Sequence, residues 1–393
     1  MLYNRDMEDF DYLHEGEVYL DAACQSLRPR AVIEAVDGYY TKHNSCGERV
    51  KYKWGVITDE KVEETREKVL KFVKLPSRKY TASFTLNTTY GINLILSQLD
   101  PKYFSKIMTS EIEHNSPFLA SIAFSKRTGL PREVMERNSD GSINLADYDF
   151  KKAVVVVNCA ANFDGRKLLN IKELVKKVHK DDGIVIIDAA QAMAHSSDIV
   201  RGVEADAICF SAHKMYAPSL GVIVWRDDLD AKMQPLFLGG GMVDDVNKAS
   251  YVLSADNKEH RYTRFESGLQ AWGEIIGLNA ALDWLNARPK KDWARLEENY
   301  TTVFEFLSSS DKVHLVNEKP NPTMSFYVDG IDSHLLGNAL SHENIMARTG
   351  YFCAHYYLDH VLHLPPLIRF SFGLHNSPED IAKIQKVMEK IVH

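Results

Sequence analysis

The 393-residue sequence has little cysteine, no excess of positive charge and no long apolar run. Its five cysteines (Cys24, Cys46, Cys159, Cys209 and Cys353) are scattered, and no two stand at metal-ligand spacing. That excludes a disulfide framework and points to a reducing compartment. Lysine and arginine number 47 against 54 acidic residues, a net charge of -7, which excludes the basic footprint of a nucleic-acid binder. No apolar segment approaches the ~20 residues that a membrane-spanning helix needs. Residues 1–10 are acidic and polar, without the pattern of a signal peptide, so the expected compartment is the cytoplasm. No Gly-Lys-Ser/Thr follows Gly239-Gly240-Gly241, which excludes a Walker-type phosphate loop. There is no internal repeat and no low-complexity segment. With 45% hydrophobic and 26% charged residues, the chain has a soluble globular composition and is long enough for two cores.

The stretch from Gly183 to Val224 organises the rest. Ile184 to Ile187 is apolar and stops at Asp188, the pattern of a buried parallel strand with a carboxylate at its carboxyl end. Ala207 to Phe210 reads as a neighbouring strand that runs into Ser211-Ala212-His213-Lys214, and Gly221 to Trp225 as a third. An acid and a lysine thus fall at adjacent strand ends, where open α/β sheets bind ligands. A lysine amine condenses with an aldehyde, and pyridoxal phosphate is the common aldehyde cofactor. A carboxylate facing its pyridine nitrogen keeps the ring an electron sink. Ser211 and His213 are donors suited to a phosphate. A plain strand-end salt bridge would explain Asp188 and Lys214 alone, but the company of Gln191, Ser211 and His213 favours the cofactor.

Upstream, Phe84 to Asn93 reads as strand, tight turn and helix start, where free N–H groups and the helix dipole suit a phosphate. Thr88 and Thr89 add hydroxyls, although Thr-Thr before a helix is also an ordinary cap. Arg30 to His43 and Asp59 to Val73 read as helices, the latter strongly charged. Apolar Val32, Val36 and Tyr39 or Tyr40 stand at helical spacing in the former. Ala153 to Val157 reads as a buried strand and Ile171 to His179 as the crossover helix before the central strand, a β-α-β alternation. Trp272 to Leu285 reads as a long helix. Residues 287–291 read as a boundary before a smaller α+β segment. Gln25 and Ser26 are either substrate-facing or part of a capping turn before Pro29. Cys46 reads as a small buried residue.

Four motifs in order carry a resemblance: Asp188-Ala189-Ala190-Gln191-Ala192, Ser211-Ala212-His213-Lys214-Met215-Tyr216-Ala217-Pro218, Arg264-Phe265-Glu266-Ser267-Gly268 and Arg348-Thr349-Gly350-Tyr351-Phe352-Cys353-Ala354. From about Val18 to its end the chain resembles the class V pyridoxal-phosphate enzymes, and within them the cysteine desulfurases and selenocysteine lyases of sulfur mobilisation. The resemblance implies an α/β fold of type I with a mainly parallel, seven-stranded sheet. It implies an arm at 1–17, a large cofactor-binding domain at 18–286 and a smaller α+β domain at 287–393. The cofactor set it implies is Thr88, Thr89, His114, Asn162, Asp188, Gln191, Ser211, His213 and Lys214. His114 would stack on the ring and move protons, and Asn162 would bond the ring oxygen and touch substrate. Arg369 would grip the substrate carboxylate as a bidentate fork, with Arg348 nearby. Cys353 would attack the sulfur of L-cysteine and carry it as a persulfide, or take the selenium of L-selenocysteine in the same way. The catalytic set is then Lys214, Cys353 and His114.

The resemblance also implies a homodimer, with Arg49 near the partner's site, and a protein that accepts the sulfur. The chain departs from the family at Asn87, Tyr90, Leu269 (for threonine, losing a hydroxyl toward the partner's phosphate), and Tyr351-Phe352. The departures at residues 46, 90, 269, 351 and 352 keep open another class V reaction: aminotransferase, epimerase or carbon–sulfur lyase. A silent scaffold subunit is a further alternative, opposed by the retained His114, Asp188 and Lys214.

Overall fold

The computed structural model describes residues 8–47 and 50–392. Arg49 and the start of the expected arm lie outside the described residues. The chain forms two compact units: Ala31–Ala160 with Lys167–Asp283, and Met1–Arg30 with Ala161–Arg166 and Trp284–His393.

The first unit is built on a seven-stranded sheet. Its strands are β1 (Tyr80–Thr85), β2 (Lys106–Ser110), β3 (Arg132–Met135), β4 (Ala153–Asn158), β5 (Ile184–Asp188), β6 (Ala207–Ser211) and β7 (Gly221–Arg226). They lie in the order β1-β7-β6-β5-β4-β2-β3, and only β7 runs against its neighbours. Every residue of β4, β5 and β6 is buried, which is why these segments read as unbroken apolar runs rather than alternating ones. Ile95, Val154, Ile186 and Trp225 belong to one core cluster of this sheet. The crossover helix Ile171–Lys180 buries Ile171, Leu174, Val175 and Val178, one stripe at helical spacing. Each such side chain contributes roughly 1.5–3 kcal/mol by leaving water.

The second unit carries β8 (Val313–Leu315), β9 (Thr323–Val328), β10 (Arg348–Gly350) and β11 (Leu367–Ser371), in the antiparallel order β8-β9-β11-β10. Helices Lys290–Ser308, Ser333–His342 and Pro378–Val392 accompany it. Val18–Tyr19 pairs in parallel with Ile345–Met346, and Asp21 bridges to Ser371, which ties the 18–30 segment to this unit.

Two local expectations change, and one left open is decided. The charged helix begins at Lys53, six residues before Asp59. Of the two tyrosines in helix Arg30–Lys42, Tyr39 is buried and Tyr40 faces solvent. Cys46 is exposed, not a small core residue. No helix among the described residues is long and apolar enough to cross a membrane.

Candidate active site

In the first unit, the carboxyl ends of β5 and β6 meet a helix N-terminus. β1 ends at Thr85, Asn87 caps helix Thr88–Gln98 by accepting from the Tyr90 N–H, and the helix points its first turn at Ser211. The approach is tight: a Cβ on Gly221, which opens β7, would lie 2.5 Å from the Asn87 nitrogen. Glycine there lets the turn sit down on the sheet. Thr88 N–H donates to Ser211 Oγ at 2.9 Å, and the two hydroxyls are 2.6 Å apart. Thr89 Oγ1 lies 2.5 Å from Ser116 Oγ, which is 2.8 Å from His114 Nδ1. Ser116 N–H also donates to that nitrogen at 3.0 Å, so His114 caps helix Asn115–Thr128. Its Nδ1 is therefore the acceptor, and the neutral ring carries its proton on Nε2. Hydroxyls and N–H groups at the positive end of a helix are a donor set for a phosphate.

Asp188 ends β5 and is only 5% exposed. Burial pushes its pKa up, while the Ala190 N–H, donating to Oδ1 at 2.9 Å, and the Lys214 charge pull it back. Lys214 closes the short 3₁₀ turn Ala212–Lys214 that follows β6, half-buried like His213 and Gln191. Two residues on, the buried Tyr216 takes φ 66° and its hydroxyl bonds His195 Nε2 at 2.9 Å. A bulky residue with positive φ is costly and turns the chain sharply just after the lysine. The sequence does not announce that bend.

Sequence reasoning also passed over Glu113. It is 1% exposed, accepts from Ser110 Oγ at 2.5 Å and from Asn158 N–H at 2.7 Å, and burial pushes its pKa up to about 8. Its place between Ile112 and His114 is the only signal the sequence offers.

In the second unit, Arg369 is the third residue of β11 rather than its start, and is 3% exposed. Nη1 donates to Asn162 O at 2.9 Å and Nη2 to Asp21 Oδ1 at 3.0 Å. Asn162 Nδ2 in turn donates to Phe352 O. Cys353 is exposed in the loop after β10. Phe352 and Cys353 take φ 49° and 60°, two successive left-handed residues that are not glycine. The structure thus gathers Asn162, Arg348, Arg369 and the Cys353 loop in one unit, and Thr88, Thr89, His114, Asp188, Gln191, Ser211, His213 and Lys214 in the other. Leu269 is 76% exposed. Among the described residues, no group of three or more His, Cys, Asp or Glu side chains is placed to hold a metal ion.

A mixed, mostly parallel sheet with a buried acid and a lysine at adjacent strand ends is the type I fold of pyridoxal-phosphate-dependent enzymes. The family described as aminotransferase class V matches residues 18–384, and the chain belongs to it. A probable cysteine desulfurase of Ureaplasma parvum is 30% identical, covering 95% of this chain and 93% of its own length. An apo cysteine desulfurase of Thermococcus onnurineus superposes with a TM-score of 0.87 at 27% identity, over 100% of this chain and 98% of that one. A variant of the cystine C–S lyase C-DES, with glycine covalently linked to its pyridoxal phosphate, shares the fold at TM-score 0.76 and 18% identity, over 97% and 98%.

Proposed function

We propose that the protein is a pyridoxal-phosphate-dependent cysteine desulfurase, which converts L-cysteine, or L-selenocysteine, to L-alanine and leaves the chalcogen on Cys353. The observation that carries the reading is the Cys353 loop: an exposed thiol raised on two left-handed residues, in the unit that also holds the buried Arg369. The relatives named as cysteine desulfurases at 27–30% identity support it.

The residues present fit the cofactor. Thr88, Thr89, Ser211 and His213 offer donors for its phosphate at a helix N-terminus. Asp188 is a buried carboxylate for the pyridine nitrogen, and Gln191 and Asn162 are amides for the ring oxygen. Among the described residues the buried Asn162 Oδ1 has no hydrogen-bond partner. When bound, pyridoxal phosphate supplies an electron sink for negative charge at the substrate Cα. With pyridoxal phosphate bound, Lys214 Nζ would hold its aldehyde and would accept the substrate Cα proton. Asp188 would hold the proton on the cofactor's ring nitrogen. His114, with its proton on Nε2, would contact the cofactor ring and would move protons. Arg369 binds the substrate carboxylate as a fork. The Cys353 thiolate attacks the substrate sulfur: an S–S bond forms, the C–S bond breaks, and its electron pair stays with the carbon fragment, which takes a proton to become alanine.

The persulfide passes to an acceptor protein or a thiol reductant. A cytoplasmic homodimer completes the reading. Mass spectrometry of the protein after L-cysteine tests it: one added sulfur on Cys353 supports the role, and added sulfur that persists in Cys353→Ala contradicts it.

A further inference from the structure

The sheet of the first unit has a second charged site, at the edge opposite Asp188 and Lys214. β1 begins there at Tyr80 and the antiparallel β7 ends there at Arg226, its partner in register. The length of β1 sets this edge roughly 20 Å from the turn into Thr88. An open cavity of about 590 Å³ lies there, lined by the cations Arg78, Lys79, Arg226, Lys258 and Arg261 and the acids Glu204, Asp227 and Asp228. Bonds to backbone join its walls. Asp227 N–H donates to Lys79 O at 2.9 Å, Lys258 Nζ to Arg78 O at 3.0 Å, and Arg261 Nη1 to Asp227 O at 3.0 Å. Two of the cations are matched by acids. Arg226 pairs with the buried Asp206 at 2.9 Å and with Asp228 at 2.5 Å, and Arg261 faces Asp227 at 3.8 Å. Arg261 Nε is buried with no hydrogen-bond partner among the described residues, so the protein does not saturate this guanidinium. The other three cations are unmatched. The exposed Arg78 and Lys79 side chains make no hydrogen bond or ion pair among the described residues, and Lys258 meets a carbonyl but no carboxylate. Three unmatched cations around one opening, in a chain of net charge -7, are a local reversal of sign.

We propose that this cavity binds a small phosphorylated ligand, whose phosphate oxygens meet Arg78, Lys79 and Lys258. A guanidinium fork fits phosphate oxygens in pairs, and each ammonium adds a compact charge. Three cations suit a group with two negative charges better than a single carboxylate. The volume exceeds that of a phosphate group and falls within the roughly 300–1,000 Å³ of small-molecule sites. An adjoining opening of about 470 Å³ shares Tyr80, Lys258 and Arg261 with it and is walled in part by Leu70, Leu75 and Ala82. That apolar wall offers a place for the organic part of the ligand. The site shares no residue with the cofactor set and does not depend on which amino acid is the substrate.

The test is calorimetric titration of the cofactor-loaded protein with inorganic pyrophosphate at neutral pH and low salt, with the absorbance of the bound cofactor followed in parallel. Saturable binding is expected, with constant cofactor absorbance. The double variant Arg78→Gln with Lys79→Gln should weaken it by about tenfold or more, the scale of hydrogen bonds to a charged group. Lys386→Gln with Lys390→Gln removes two exposed charges from helix Pro378–Val392 in the other unit and should leave the affinity unchanged. Absence of saturable binding overturns the proposal. Equal weakening in the two double variants also overturns it, because the attraction then belongs to net charge and not to this cavity. A cofactor absorbance that changes during the titration, with an affinity indifferent to Arg78 and Lys79, places pyrophosphate at the cofactor instead and overturns it as well. If the Arg78 and Lys79 double variant does not fold, Lys258→Gln decides the question with the same expected loss.

Discussion

The Glu113 carboxylate accepts the backbone N–H of Asn158 at 2.7 Å, joining the residue before His114 to the end of β4. Asn158 is paired in register with Asp188 on β5. Burial is the main cause of the raised Glu113 pKa, with the Asp188 charge adding to it and Arg137 opposing.

This placement predicts a pH dependence of stability. A carboxyl whose folded pKa is raised contributes stability that is full below its ordinary value of 4.5 and is lost as pH rises through about 8. Glutamine keeps the shape and cannot ionise. Urea midpoints measured from pH 5 to 9 should therefore fall less in Glu113→Gln than in the natural protein. Parallel pH profiles would refute the assignment.

Arg66 and Glu266 form a second buried pair. Arg66 Nη1 and Nη2 donate to Glu266 Oε1 and Oε2 at 2.6 and 2.7 Å, and Oε1 also takes the Phe84 N–H. Removing one partner leaves the other charge buried and unmatched. Arg66→Met should cost about 3–5 kcal/mol in urea unfolding, and the double change Arg66→Met with Glu266→Met should recover part of it. Equal losses in the single and double variants would show that the pair contributes through packing alone.

The Thr88–Ser211 hydroxyl pair is expected to serve the cofactor phosphate. Ser211→Ala should weaken cofactor retention by about tenfold, the scale of one hydrogen bond to a charged group. Fluorescence titration of the stripped protein with pyridoxal phosphate reads this directly. Unchanged affinity in both Ser211→Ala and Thr88→Val would move the phosphate elsewhere.

Much of this site is legible in the chain because its parts are local. Ile184 to Asp188 declares itself by an apolar run that stops at an acid, and the turn into Thr88 by a strand followed by a cap. What is not legible is nonlocal. Asp21 meets Arg348 and Arg369 across 327 and 348 residues, and nothing near Asp21 signals either partner. Glu113 looks like a surface acid in sequence and is buried because β2 and β4 close over it. The exposure of Cys46 and the interior position of Arg369 in its strand likewise follow from tertiary packing, which single-residue tendencies do not encode.

The measurement that bears most directly on the proposed reaction is alanine release from L-cysteine by the purified, cofactor-loaded protein with a thiol reductant present. The account predicts alanine and sulfide in equal amounts, both lost in Cys353→Ala while that variant keeps its bound cofactor. Alanine released undiminished by Cys353→Ala, or none released by the cofactor-bound natural protein, would contradict it.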